Sequence, residues 1–304
     1  MLFGRESYYL SYFCYLCRRK QALLMAETPQ TTTGSKPYKL GIALSGGGAR
    51  GFAHAGALLA IEEAGLKIDV IAGVSAGSVV SVLYAAGVKP LEMANLFAKM
   101  SIRGFLDINL GGGGLLKIDK FRNFIQGILG DKKNLEDLEI PVFLGATDLD
   151  HGCPAVFSHG EIGPRLIASC SIPIVFKPIE IGGVHYVDGG VLRNHPAWII
   201  RDKCERLIGV NVSPLRKARG YKSIVDVALR TYNLMAKANQ SVDMDLCDVS
   251  VQTPEIANYA VFDLKHIKQV FLSGYIHTRK ALKNAGYWNP SGETPLLSSL
   301  PQKE

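Results

Sequence analysis

The five residues Gly73-Val74-Ser75-Ala76-Gly77 constrain this chain more than any others. They follow the apolar run Val70-Ile71-Ala72 and open into Ser78-Val79-Val80-Ser81-Val82-Leu83-Tyr84-Ala85-Ala86, which reads as a helix. Strand, sharp turn and helix in that order match a G-x-S-x-G elbow. In such an elbow the serine occupies a strained turn, and the flanking glycines avoid a collision between a Cβ and neighbouring backbone. The Ser75 hydroxyl is then expected to face solvent with a helix N-terminus beneath it. The plain alternative is a small-residue turn that contains a serine by chance.

A serine nucleophile needs hydrogen-bond donors aimed at the charge that develops on a carbonyl oxygen, and backbone N–H groups of a glycine cluster can supply them. Gly46-Gly47-Gly48-Ala49-Arg50-Gly51 fits, because it follows the apolar run Leu40–Ser45 and precedes a helix-like stretch from Phe52 to Ala64. Donors at a helix N-terminus favour an anion. Gly46, Gly48 and Gly51 also satisfy G-x-G-x-x-G, the dinucleotide fingerprint. That reading wants an acidic residue at the far end of the second strand. Asp69 lies at its start instead, and the far end carries the Ser75 elbow.

A base is needed as well. None of the seven histidines lies in a pattern that marks a triad histidine. His54 falls inside the first helix, His151, His159, His266 and His277 are scattered, and only His185 and His195 flank a promising motif. That motif is Tyr186-Val187-Asp188-Gly189-Gly190, a short apolar strand ending in an aspartate and two glycines. An aspartate at a glycine turn is usually a turn former that caps its own backbone, so from this tripeptide alone the question stays open.

The ordered set Gly46-Gly47-Gly48-Ala49-Arg50-Gly51, Gly73-Val74-Ser75-Ala76-Gly77 and Asp188-Gly189-Gly190 resembles the patatin-like phospholipase family, whose marks are G-G-G-x-R-G, G-x-S-x-G and D-G-[AG]. Ala168-Ser169-Cys170-Ser171-Ile172-Pro173-Ile174-Val175-Phe176-Lys177-Pro178 and Asn194-His195-Pro196 look like the family too, and the likeness runs from about Lys39 to Val212. The resemblance implies a serine–aspartate dyad, with Ser75 as nucleophile, Asp188 as general base and Gly46, Gly47 and Gly48 as oxyanion hole. Arg50, Gly51, Gly73, Gly77, Gly189 and Gly190 complete the motifs. Arg50 would brace the glycine loop or, less favoured, meet a lipid phosphate. It further implies an acyl-lipid substrate, an acyl-enzyme, and no metal or organic cofactor. The rivals are a Ser-His-Asp carboxylesterase or thioesterase that uses His185 or His195, and a catalytically idle binding protein of the same fold.

With 304 residues, 47% of them hydrophobic, the chain is expected to fold as one large α/β domain. Apolar runs at Ile140–Thr147 and Leu207–Val212 read as buried strands, and Ile118–Leu129, Gly163–Ser169, Ser223–Asn239 and Leu264–Ala285 as helices. The expected fold class is therefore a largely parallel sheet with helices on both faces. The acyl hydrolase domain is placed at 37–288, between an N-terminal tail, 1–36, and a C-terminal tail, 289–304. Tyr8–Cys17 is too short an apolar run to span a bilayer, and its basic cluster Arg18-Arg19-Lys20 follows rather than precedes it. It reads as a segment upstream of a start at Met25, a disordered tail or an interfacial anchor. Gly111–Gly114 reads as a linker, with a mobile flap for an acyl chain as the alternative.

Cys14 and Cys17 form a C-x-x-C with no second pair nearby to complete a zinc pattern, and Cys153, Cys170, Cys204 and Cys247 are widely spread, which points to a reducing, cytoplasmic setting. The net charge of +7 is modest. Arg216, Lys217, Arg219 and Lys222 cluster in a loop that reads as solvated surface or, alternatively, as a peripheral contact with anionic headgroups. Basic residues are not interleaved with aromatics, so nucleic acid is a poor partner. Oligomeric state is left open.

Overall fold

The computed structural model describes residues 36–98, 119–217, 220–261 and 263–288. The Tyr8–Cys17 run, Met25, the Gly111–Gly114 run, Arg219 and the tail 289–304 lie outside the described residues. Five strands, β1 (Tyr38–Leu44), β2 (Val70–Val74), β3 (Val142–Asp148), β7 (Cys204–Asn211) and β8 (Val249–Gln252), run parallel in the order β3-β2-β1-β7-β8. Antiparallel pairings gather at the β3 end. They involve β4 (Cys153–Phe157), β5 (Ile179–Ile181) and β6 (Val184–Asp188). The expected largely parallel sheet is thus present, with an antiparallel margin of which only β6 is announced as a strand in the sequence.

Period-two alternation divides the sheet into two faces. Ile42, Leu44, Ile71, Leu144, Ile208 and Val210 point into one cluster, while Ala43, Val70, Ala72 and Leu207 point into the other. The larger cluster is covered by α1 (Phe52–Glu63), α2 (Ala76–Ala85), α3 (Pro90–Ala98), α4 (Asp119–Leu129), α5 (Ile162–Cys170) and α9 (Ile267–Asn284). The smaller is capped by α6 (Ala197–Ile200). The amphipathic α7 (Ile224–Ala238) and the short α8 (Gln240–Met244) follow β7.

α1 has no polar face. Every residue from Phe52 to Ile61 is buried, which requires cover on the side away from the sheet. α9 provides it by packing backbone to backbone: a Cβ on Gly56 would run into the Phe271 carbonyl oxygen, and one on Gly274 into that of Ala53. Tyr275 Oη donates to Glu63 Oε2 at 2.6 Å and pins the far end. Gly274→Val should therefore force the helices apart and cost about 3 kcal/mol, the upper range for overpacking. In contrast, Gly127→Ala, where the new Cβ meets nothing within 4 Å, should gain roughly 0.5–1 kcal/mol from helix propensity. Urea unfolding followed by circular dichroism checks both signs.

Candidate active site

The site forms where two strands end against each other. β3 pairs with β2 up to Val74↔Gly145, and the next β3 residue pairs with β6 through Ala146↔Asp188. β4 occupies the other edge of β3 from Leu144 to Asp148. β2 and β6 must therefore share one edge, running in opposite directions and meeting at their C-terminal ends. Ser75 leaves the end of one strand and Asp188 ends the other.

Ser75 sits at φ 52 and ψ −120, a conformation that side chains rarely adopt and that costs on the order of 1–3 kcal/mol. The turn exists because Gly73 and Gly77 let α2 pass over the strand. A Cβ on Gly73 would lie 2.6 Å from the Gly77 carbonyl carbon, and one on Gly77 would strike the Leu44 carbonyl oxygen. One hydroxyl holds the elbow from behind. Ser169 Oγ, on α5, donates to Gly145 O at 2.7 Å and accepts the Ser75 N–H at 2.9 Å. Having spent its proton, it is the acceptor in its 2.6 Å contact with Ser78 Oγ. Contrary to the expected solvent-facing hydroxyl, Ser75 is only 5% exposed, at the floor of a cleft.

Asp188 is fully buried. Its Oδ1 accepts the Gly190 N–H at 2.8 Å, its own N–H donates to Ser171 O at 2.9 Å, and Thr147 Oγ1 donates to its carbonyl at 3.1 Å. Oδ2 has no well-formed hydrogen bond, although the Ser75 and Tyr232 hydroxyls lie close enough to favour the charged form. Burial wins over these contacts and pushes the carboxyl pKa up to about 6. Tyr232, from α7, is pushed well above its ordinary value by burial and by the facing carboxylate, so its phenol stays protonated as a donor.

The three loop glycines divide their roles. The Gly46 N–H donates to Asn194 O at 3.1 Å, and its carbonyl accepts from Ser45 Oγ and Ser213 Oγ. This corrects the expectation that Gly46 is a free oxyanion donor, since its amide is already spent on bracing the loop. Gly47 and Gly48 line the cleft beside Ser75, and their amides have no partner among the described residues. At Gly48 φ is +59, and a Cβ would meet the Val261 carbonyl. Arg50 takes the bracing role. It donates to Tyr259 O at 2.7 and 3.0 Å and to Pro214 O at 3.1 Å, tying the loop to two others.

The competing readings find little support in the same structure. Asp69 Oδ2 accepts from the Lys39 and Leu40 amides at the start of the sheet, on the wrong end for a ribose. His185 lies on the surface beside Asp150, 3.1 Å away. His195 is fully buried with neither ring nitrogen bonded; burial, helped by nearby His54, pushes its pKa down to about 3. Neither histidine is hydrogen-bonded to Ser75, as a triad base would be.

Sequence reasoning assigned no role to Ser169, Ser78 or Tyr232. Ser169 falls inside the Ala168–Pro178 stretch, but its function depends on where α5 docks. Tyr232 follows Asp188 by 44 positions on a separate helix, with no local signal. Asn194, likewise recognised only as part of a tripeptide, lines the cleft with a buried Nδ2 that has no partner among the described residues.

Comparison with known proteins shows the family and the fold. The patatin-like phospholipase family profile matches residues 42–200. An uncharacterized NTE family protein of Mycobacterium tuberculosis is 36% identical over 161 residues, 52% of this chain and 44% of that protein. Lysophospholipase NTE1 of Meyerozyma guilliermondii is 24% identical over 296 residues, 87% of this chain and 20% of that one. The neuropathy target esterase sws of Drosophila melanogaster is 30% identical over 171 residues, covering 54% and 12%. The chain thus spans less than half the length of these curated relatives. VipD from Legionella pneumophila shares the fold, with a TM-score of 0.59 at 16% identity over 86% of this chain and 73% of that one.

The raised Asp188 pKa has a thermodynamic sign that can be measured. A carboxyl near 6 when folded, against an ordinary 3.8, destabilises the native state fully above pH 6, and the penalty fades as pH falls toward 4. Asp188→Asn should therefore be more stable than wild type by up to about 3 kcal/mol at pH 8 and lose that advantage by pH 4. Chemical denaturation of both proteins across this range is the measurement, and other titrating groups cancel in the difference.

Proposed function

The chain belongs to the patatin-like phospholipase family, and from that premise we propose that it is a lipid acyl hydrolase cleaving carboxylic esters of phospholipids or related acyl lipids through Ser75 and Asp188. The observation that carries the reading is the strained Ser75 held against the buried Asp188 where β2 and β6 meet, with two unpartnered glycine amides alongside.

In the proposed reaction Asp188 takes the Ser75 hydroxyl proton while Oγ attacks the ester carbonyl carbon. The resulting oxyanion accepts from the Gly47 and Gly48 N–H groups, whose cost of orientation is already met by the loop braces. Collapse expels the alcohol, which takes the proton back from Asp188, and leaves an acyl-serine. Asp188 then removes a proton from water, which attacks the acyl carbon, and free acid leaves with Ser75 restored. A carboxylate is a weak base for a serine, so its raised pKa brings it closer to the working range. The scheme uses no metal or organic cofactor.

Acyl-lipid substrates follow from the family, and the name of the Meyerozyma guilliermondii relative, lysophospholipase NTE1, points to the same class. Arg216 and Arg230 line the cleft and suit a phosphate headgroup. We take residues 37–288 as the hydrolase unit and place it in the cytoplasm at a membrane surface. Among the described residues no helix is long and apolar enough to cross a membrane, and Cys153, Cys170, Cys204 and Cys247 are free thiols.

Fluorophosphonate labelling together with hydrolysis of a short-chain ester tests the reading. Ser75→Ala should abolish both with the fold retained. Asp188→Asn should lose at least ~10² in rate, the scale for removing a general base, whereas His185→Ala should remain close to wild type. Wild-type protein that neither labels nor hydrolyses any acyl ester would leave the idle-binding alternative. For the oxyanion loop, a Cβ at Gly47 would sit 2.7 Å from Val212, so Gly47→Val should displace the donors and cost roughly 10²–10³-fold.

The pH profile is a separate check. The base must be unprotonated, so kcat/KM should fall about tenfold per unit below pH 6, where Asp188 takes up its proton. An acid limb centred near 4 would mean that burial does not raise this carboxyl.

A further inference from the structure

A soluble amphipathic helix lays one apolar stripe on the protein and turns polar residues outward. α7 departs from this pattern. Its inner side carries Tyr232, Asn233 and Ala236 into the wall of the catalytic cleft. Its outer side repeats at helical spacing through Ile224, Val227, Thr231 and Leu234, where Ile224 is 84% exposed, Val227 48% and Leu234 47%. Val242 on the adjoining α8 is exposed as well. The apolar arc of this amphipathic helix is thus wider than its covered part, and Ile224, Val227 and Leu234 stand exposed among the described residues.

The margin of this stripe is basic. Arg216, Lys217 and Lys222 stand in the loop before the helix, and Arg230 and Lys237 lie on it. The carboxylate in the first turn, Asp226, is tied up in its own capping box, accepting from the Lys222 and Ser223 amides at 3.0 and 2.9 Å. A second copy docking this face on itself about a twofold axis would set like charges against each other. A surface of phosphates over an apolar interior complements both parts of the pattern.

We propose that the outer face of α7 is the docking surface for an anionic phospholipid bilayer, with Ile224, Val227 and Leu234 inserted among the acyl chains and the surrounding arginines and lysines on the headgroups. The inference rests on the lipid-hydrolase reading, which it deepens by naming where the lipid surface sits. A bilayer on that face lies one helix diameter, about 10 Å, from the cleft that α7 walls. A lipid leaving the surface at this edge reaches Ser75 without crossing bulk water, and Arg230 and Arg216 stand at both the surface and the cleft.

The test uses the full chain and flotation with vesicles of phosphatidylcholine containing phosphatidylserine, compared with phosphatidylcholine alone. Wild type should float with the anionic vesicles. The combined variant Ile224→Glu, Val227→Glu, Leu234→Glu should lose at least tenfold in partitioning, with fluorophosphonate labelling in solution unchanged, because these side chains face away from the site. Ile224→Trp should gain emission that brominated phospholipid quenches, above the background of Trp198 and Trp288, and this conservative variant decides the matter if the triple variant fails to fold. Vesicle binding by the triple variant equal to wild type overturns the proposal. So does an Ile224→Trp signal that lipid does not quench, including the case where sedimentation shows that the stripe is covered by a second copy. Absence of labelling in wild type would count against the hydrolase reading alone, since flotation and quenching are read independently of turnover.

Discussion

Everything at the site depends on β3 serving two partners in succession along one edge. A single residue step separates its pairing with Val74 from its pairing with Asp188, and that step brings the two strand ends together. Hydrogen-bond register is discrete, because a slip of one position would turn each side chain to the opposite face of the sheet. The approach of serine to carboxylate is therefore set by backbone pairing rather than by flexible side chains. Long-range precision of this kind suits the proposed serine–aspartate pair, which would have no intervening imidazole to absorb an error in distance.

Two unfavourable features are held in place by the surrounding structure. The Ser75 backbone is strained, and the Asp188 carboxylate is cut off from water. Each would relax if its neighbours allowed it: the elbow by swinging toward a common backbone conformation, the carboxyl by keeping its proton. Ser169 opposes the first by gripping the Ser75 amide while anchored to β3. The Gly190 amide and the Tyr232 and Ser75 hydroxyls partly oppose the second. Strain and buried charge lie on facing atoms, where the surrounding structure can hold both.

Much of this was legible in the sequence, for a physical reason. The elbow is local, since strand, glycine, serine, glycine and helix are adjacent in the chain, and local sterics leave few alternatives for them. Asp188 became legible only through a motif set, because an aspartate before two glycines has a commoner use as a turn former. Long periodic helices were placed within a few residues at both ends, as with Ser223–Asn239 against α7. By contrast β5 and β4 carry no fully buried position, and neither shows the long buried apolar run by which the central strands are read. The Gly46 correction has the same root: a glycine triplet announces available amides but cannot say which one a distant asparagine carbonyl will occupy. Tyr232 and Ser169 act across gaps that only the tertiary fold closes.

The direct contact between α1 and α9 bears on what counts as the smallest autonomous piece of this protein. The match to the family profile stops at residue 200, before β7, the cleft helix α7 and the helix that shields α1. A fragment trimmed at that border would keep every motif residue and still present β1 with a bare edge and α1 with an uncovered apolar side, an invitation to aggregate. The family profile and foldability therefore draw different boundaries here. The motif residues occupy the first part of the described chain, while the later elements make those motifs into a solid body.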